Sequence, residues 1–378
     1  MLDDGGMSHE GLGLTRDSAG RLVVARRESP NDLLVLERYV GDSLEKDISY
    51  KGPASISANS SAYYNSFIGS DCMGRVYVVL NTSTPSYRLY RFSSDTGAVD
   101  EGYGTNGYVE LPATSYHQLY GLHVAEDGTT FAFGELNDFG VVWKVEPNGS
   151  PDEDWGASGV LTTKDVGGTN YSRMRFQSFK QLDDGKILLG GRAKKISAGQ
   201  DYDATLWRFN PNGEPDRSFG TNGSTVLSAS THSEGIEELL VTDDAIFAGI
   251  TYRSTGSLIV TYVYVRKFDL SGAPVSGYFI SPPGHGSNSI SPLIKLAYLE
   301  SDGRIAVGYE SYGYFHLNTY DAGSASVQTS LETSFQKASG HSYQSIRGLT
   351  KDASGRLVIL GQATFVDPHL NQAFVVIK

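Results

Sequence analysis

Short apolar runs alternate with polar turns along the whole chain, and both recur at regular spacing. The clearest marker is a polar turn ending in glycine, followed by a strand-length apolar segment. It reads DSAGRLVVA, DCMGRVYVV, EDGTTFAFG, DDGKILLGG, TDDAIFAGI, SDGRIAVGY and DASGRLVIL. The turn glycines are Gly20, Gly74, Gly128, Gly185, Gly303 and Gly355, with Ala245 standing in for the remaining one. Intervals of roughly 50 to 60 residues are the signature of a repeat architecture.

A second marker follows the first. SSDTGAVDEGYGTNG (93–107), EPNGSPDEDWGASG (146–159) and NPNGEPDRSFGTNG (210–223) align without gaps. Gly97, Gly149 and Gly213 coincide, then Asp100, Asp152 and Asp216, then an aromatic (Tyr103, Trp155, Phe219). The glycine pairs Gly104/Gly107, Gly156/Gly159 and Gly220/Gly223 close each copy. Asn-Gly supplies the positive φ of a tight turn. The Asp accepts hydrogen bonds from nearby amides, and the aromatic is expected to plug the space between neighbouring units. A calcium loop would need six to eight oxygens, more than each copy offers.

Each repeat reads as four strands. The first ends at the polar turn (GLHVAED, LIKLAYLES), and the RLVVA-type segment is the second. The third alternates (SYRLYRFS, TLWRFNP, YVYVRKFD, AFVVIK), and the fourth follows the Asp–aromatic–Gly element (GYVELP, GVLTTK). No stretch of three turns or more carries helical periodicity. Four short strands per repeat, in seven copies, predict an all-β fold, a seven-bladed β-propeller of mostly four-stranded antiparallel blades. The whole chain, 1–378, is read as one domain, with repeats at approximately 11–56, 65–112, 121–165, 176–227, 236–284, 293–338 and 345–378. The last repeat ends on its third strand, so its blade is expected to have three strands, or to be completed by residues 1–8, which read as a poor strand, or by a longer native N-terminus.

DDGKILLGG (183–191), then DATLWRFNPNGEPD, then RSFGTNG resembles the delta-60 repeat of bacterial proteins. The likeness is close over 176–227, good over 65–112 and 121–165, and weak in the repeats starting near 236 and 293. There, GAPVSGYFISPPG and VQTSLETSFQKAS lose the Asp and most glycines. The resemblance implies a β-propeller, often within large exported or surface proteins, and no defined reaction. A periplasmic, cell-surface or secreted setting is therefore expected. The N-terminal MLDDGGMSHEG has neither the basic nor the apolar region of a signal peptide.

Composition narrows the partners. With 43 acidic and 31 basic residues the formal net charge is -12, which argues against nucleic acid as a partner. The longest apolar runs are strand-length, so no membrane insertion is expected. A single cysteine, Cys72, excludes an intrachain disulfide or a thiolate metal cluster. Nucleophile-elbow, phosphate-loop and HExxH patterns do not occur.

In a propeller the connections from fourth to next first strand share one face with the second-to-third turns, around the central channel. Five of these connections carry a histidine: His9, His117, His232, His285 and His341, of eight in the chain. The other two carry Tyr63 with Tyr64, and Tyr171 with Arg173 and Arg175. Second-strand ends add Glu28, Glu135, Arg192, Tyr252, Arg253 and Glu310 to the same face. Imidazoles around a channel mouth could gather a divalent metal, with His232, His285 and His341 as candidates, or act as acid and base. Against this, histidine is an ordinary loop residue and the mouth of such a propeller is wide. Exposed tyrosines beside Asn, Arg and His suit recognition of a carbohydrate or protein. The expected function is a non-enzymatic binding module with no cofactor. A polysaccharide lyase or hydrolase using the histidine face, and a structural segment of a larger repeat protein, are the other two readings.

Overall fold

A computed structural model describes residues 9–28, 31–40, 45–53, 55–57, 67–83, 86–111, 117–163, 171–196, 201–227, 232–254, 261–282, 294–311, 314–331, 341–351, 356–365 and 371–377. These form strands in chain order, and each sheet is an antiparallel meander. Blade I comprises β1 (His9–Arg16), β2 (Leu22–Glu28), β3 (Leu33–Val40) and β4 (Glu45–Lys46). Blade II follows with β5 (Ile68–Ser70), β6 (Val76–Ser83), β7 (Ser86–Phe92) and β8 (Tyr108–Leu111). Blade III holds β9 (His117–Val124), β10 (Thr130–Leu136), β11 (Phe139–Val145) and β12 (Val160–Thr162). Blade IV is β13 (Tyr171–Gln181), β14 (Ile187–Lys195), β15 (Asp203–Phe209) and β16 (Ser224–Leu227). In blade V the strands are β17 (Ser233–Val241), β18 (Ile246–Arg253), β19 (Thr261–Phe268) and β20 (Pro274–Ile280). Blade VI contains β21 (Ile294–Leu299), β22 (Arg304–Ser311), β23 (Tyr314–Asp321) and β24 (Val327–Leu331). The last repeat gives β25 (His341–Lys351), β26 (Leu357–Phe365) and β27 (Asn371–Ile377).

The expected seven-bladed propeller is corrected here. Among the described residues six blades are complete, and the last repeat forms a three-stranded sheet because no fourth strand pairs with β27. Residues 1–8, considered above as its completing strand, lie outside the described residues. The innermost strands contact one another in series, and β1 meets β25, β26 and β27 on one side and β5 on the other. Arg16 Nη1 donates to the carbonyl of Lys351 at 2.7 Å across that junction.

The apolar core lies between sheets rather than inside them. One cluster joins blades I and II (Val23, Leu36, Val78, Phe92), and another joins III and IV (Phe131, Trp155, Phe176, Trp207). The same arrangement continues to the final sheet, where Ala306 and Leu317 pack on Ile346 and Ile359. A lone four-stranded sheet cannot bury both faces, so each repeat depends on its neighbours for its core.

The Asp–aromatic–Gly element is the clasp of this arrangement. Tyr50, Tyr103, Trp155, Phe219 and Tyr278 are all buried. Each of the first four sits beneath a turn glycine of the next blade. A Cβ on Gly97 would come within 2.8 Å of Tyr50, on Gly213 within 3.2 Å of Trp155, and on Gly272 within 2.6 Å of Phe219. At Gly149 it would reach 2.4 Å from the Gly104 nitrogen, beside Tyr103. The motif Asp pairs with a basic residue of the third strand: Arg91–Asp100 at 2.8 Å, Lys144–Asp152 at 2.5 Å, Arg208–Asp216 at 2.8 Å. The same arginines reach forward to carbonyls of the following blade, Arg91 to Pro147 and Arg208 to Leu270. Burial would raise the Asp216 pKa, but hydrogen bonds from Ser218 and Lys186 and the charge of Arg208 hold it below the usual carboxylate range. These carboxylates are spent on cations of the fold.

Blade I carries a buried ionic knot. Glu37 accepts from Arg26 Nη2 at 3.0 Å, Lys46 Nζ at 2.7 Å and Tyr39 Oη at 2.8 Å. Burial alone would raise its pKa, but these bonds and the Arg26 charge lower it from 4.5 to about 2. A depressed carboxylate stabilises the fold fully above its unfolded value and loses that contribution as pH falls toward the folded one. An acid titration of unfolding free energy should therefore drop by of order 3 kcal/mol from this group between about pH 5 and 2. Glu37→Gln should flatten that limb, and an unchanged slope would show that Glu37 does not contribute it.

Candidate functional site

The mouth face is built from the start of each innermost strand and the end of each second strand. Innermost strands share an irregularity there. Register shifts fall between Gly11 and Gly13 in β1, Phe176 and Ser178 in β13, Ile236 and Glu238 in β17, and Ile346 and Gly348 in β25. In β9 the residue skipped is Tyr120, between Leu119 and Gly121. A β-bulge inserts one unpaired residue and re-aims its side chain. Gln177 and Glu237 are such residues, and both line an axial cavity of about 200 Å³. That cavity is walled by β1, β9, β13, β17, β21 and β25, with Leu14, His123, Lys180 and Lys295 among its lining.

Two charged networks tie blades together at the mouth. Glu135, fully buried at the end of β10, accepts a hydrogen bond from Arg173 Nε of β13 at 2.5 Å, and Arg175 Nε forms an ion pair at 2.6 Å with its other oxygen without hydrogen-bond alignment. Arg173 also lies 3.1 Å from Asp138. Burial opposes the Arg173 charge, yet the hydrogen bond and charge of Glu135 raise its pKa above the ordinary value. In the second network Arg192 donates from Nε to Gln177 at 2.6 Å and from Nη2 to Glu237 at 2.5 Å. Gln177 Nε2 and Thr251 Oγ1 donate to the same Glu237, at 2.6 and 3.0 Å. Glu237 thus links β13, β14, β17 and β18.

Tyr202 lies between the networks. The Arg175 and Arg192 guanidinium carbons are 5.7 and 6.0 Å from its ring centre, and its carbonyl accepts from the Glu234 amide at 2.8 Å. On blade V the rings continue as His232–Tyr252 at 4.8 Å and Tyr252–Tyr262 at 5.7 Å. Tyr171, at the start of β13, is half-buried against the core between blades III and IV.

The predicted histidines divide. His117 packs edge-on to Tyr87 of blade II at 4.9 Å, whereas His232 lies tilted by 34° against Tyr252 of blade V. His9 and His341 open β1 and β25, paired in register with Glu28 and Phe365. His285, Tyr63 and Tyr64 lie outside the described residues. Glu310 is buried at the end of β22. Among the described residues no three of His, Cys, Asp and Glu are grouped to hold a metal ion, and no helix is long and apolar enough to cross a membrane. Lys295 pairs with Glu238 at 2.8 Å deeper in the channel wall. His123 stacks on Phe179 at 4.8 Å, where burial and the charge of Lys180 lower its pKa to about 4.

The strand pattern placed Glu135, Arg173, Arg175 and Arg192 on one face but not their partners. Gln177 and Glu237 went unrecognised because a bulge breaks the alternation that assigns side chains to faces. Their signal was the glycines opposite. Gly190 and Gly191 flank the bulge at Gln177 and Gly249 stands beside the bulge at Glu237, and a Cβ on Gly191 would fall 1.9 Å from the Arg175 carbonyl oxygen.

Comparison with known proteins bears on the fold. Residues 182–219 match a family described as a domain of unknown function (DUF5122) beta-propeller. No curated protein matches the chain. A structure from a study of two prolyl endopeptidases aligns with a TM-score of 0.51 at 10% identity, covering 98% of this chain and 50% of that one. A puromycin-hydrolyzing peptidase of Mycobacterium tuberculosis aligns at 0.52 and 10% identity, covering 97% and 53%. The β-propeller domain of the Trilobed protease from Pyrococcus furiosus aligns at 0.48 and 8% identity, over 98% and 94%. This chain spans about half the length of the two peptidases. At such identity the likeness is one of fold, and the fold is a β-propeller.

Proposed function

We propose that this chain is a non-enzymatic binding module that recognises a glycan or protein ligand on its channel-mouth face. The observation that carries the reading is the line of partly exposed rings there, from Tyr171 and Tyr202 on blade IV to His232, Tyr252 and Tyr262 on blade V. Rings with a polar tip offer large contact area at small entropic cost. Rigid blades hold them, so little ordering is required on binding. The delta-60 repeat resemblance suggests a bacterial exported or surface setting, where such recognition has obvious use. The reading calls for no metal, nucleic acid or membrane insertion.

Screening the intact protein against glycan and peptide libraries tests it. For any ligand captured, Tyr252→Ala and Tyr171→Ala should each weaken binding by about tenfold or more. Ligands unaffected by both substitutions, or protecting only the opposite face from hydrogen exchange, would refute the assignment.

A further inference from the structure

The mouth arginines narrow the ligand class, an inference that rests on the binding-module reading. Arg173 and Arg175 direct Nε to Glu135, while Arg192 uses Nε and Nη2 on Gln177 and Glu237. The Nη groups of Arg173 and Arg175 and the Nη1 of Arg192 donate no hydrogen bond among the described residues. These side chains are 28%, 21% and 22% exposed. Each guanidinium is thus paired with a carboxylate, while the partly exposed side chains keep Nη groups that no described residue engages.

We propose that this cluster binds the carboxylates of a uronate-bearing oligosaccharide. A guanidinium presents parallel N–H groups in the geometry of a carboxylate, and such charge-assisted bonds are the strong ones. Glu135 and Glu237 do not repel the incoming acid strongly, because each is already neutralised by arginine. They also hold the forks in place before the ligand arrives, so fewer rotamers are lost on binding. The neighbouring ring row favours a sugar chain. Tyr202 stands beside Arg175 and Arg192, and its carbonyl holds the Glu234 amide next to the packed His232, Tyr252 and Tyr262 rings, so partly exposed aromatic surface adjoins the cations as a sugar chain requires. With a formal net charge of -12 the protein as a whole does not attract anions. Affinity must come from short-range donors and not from long-range steering.

Calorimetric titration of the intact protein with a short oligogalacturonate, its carboxyl-reduced neutral counterpart and a polyglutamate peptide tests the proposal. The acidic sugar should bind at least about tenfold more tightly than the neutral one, one charge-assisted contact being worth that much. Arg175→Gln alone leaves Glu135 short of a partner and could perturb the fold. The double variant Arg175→Gln/Glu135→Gln removes both charges and leaves Arg173 on Asp138 alone; with folding checked by its melting temperature, it should lose most of the preference for the acidic sugar. Arg175→Lys keeps the charge without the fork and should fall between. Equal binding of acidic and neutral sugars overturns the carboxylate assignment while leaving the mouth as a binding face. Preference for polyglutamate overturns the sugar. Binding of none of the three overturns this inference, and the library screen then decides the broader reading separately.

Discussion

Phe219→Ala will lower the stability of the propeller by about 3–5 kcal/mol, the usual cost of emptying a large aromatic site. Phe219 is fully buried, with the Arg208 guanidinium 4.5 Å from its ring centre and Gly272 of blade V against its outer edge. It belongs to the core shared by blades IV and V, with Leu206, Ile246 and Phe268. Since a domain holds only about 5–15 kcal/mol in total, the variant should unfold at a much lower denaturant midpoint. A loss below about 1 kcal/mol would mean that the clasp is ornamental.

The second large effect is expected at Gly191. This residue has no left-handed backbone to protect; its constraint is space. An added Cβ would stand 1.9 Å from the Arg175 carbonyl oxygen and 3.2 Å from the Phe176 Cα. Backbone cannot step aside as a flexible side chain can, so Gly191→Ala should cost about 3 kcal/mol or more. Relief requires flattening the bulge in β13, which would displace Gln177 and unseat Arg192. Ligand binding at the mouth should weaken with stability. Gly303→Ala is the matched control: its φ is +63° and nothing lies within 4 Å of the added atom. There only the backbone penalty of about 1–2 kcal/mol applies. Equal costs at the two sites, measured by denaturant unfolding, would contradict this account.

Much of the fold was legible because each blade repeats the same local chemistry. The Gly–Asp–aromatic–Gly spacing marked the clasps of blades II, III and IV directly. Blade V hid its clasp by substitution. Lys267 takes the arginine's place, reaching the Ala322 carbonyl at 3.2 Å, and Tyr278 supplies the buried ring although the Asp is gone. The geometry survives where the letters do not, since a cation, a ring and a turn are all it needs. The mouth was legible only as a list of positions on one face. Glu135 and Arg173 are 38 residues apart, and Gln177 and Glu237 are 60 apart. No local pattern joins such partners, and bulges shifted two of them out of phase. The count of seven blades takes the final repeat as a blade although it ends on its third strand; among the described residues nothing completes that sheet.

The clasp has one further consequence. The four joints from blade I to blade V point the same way, ring of one blade against the turn of the next, so successive units there meet through the same kind of contact. A joint of one repeated kind lets unequal crossing-over add or delete a unit without inventing a new contact. Stability in such a series is close to a sum of unit and neighbour terms. The number of blades then becomes a heritable variable, while the irregular mouth connections, which no joint constrains, are left to diverge toward new ligands.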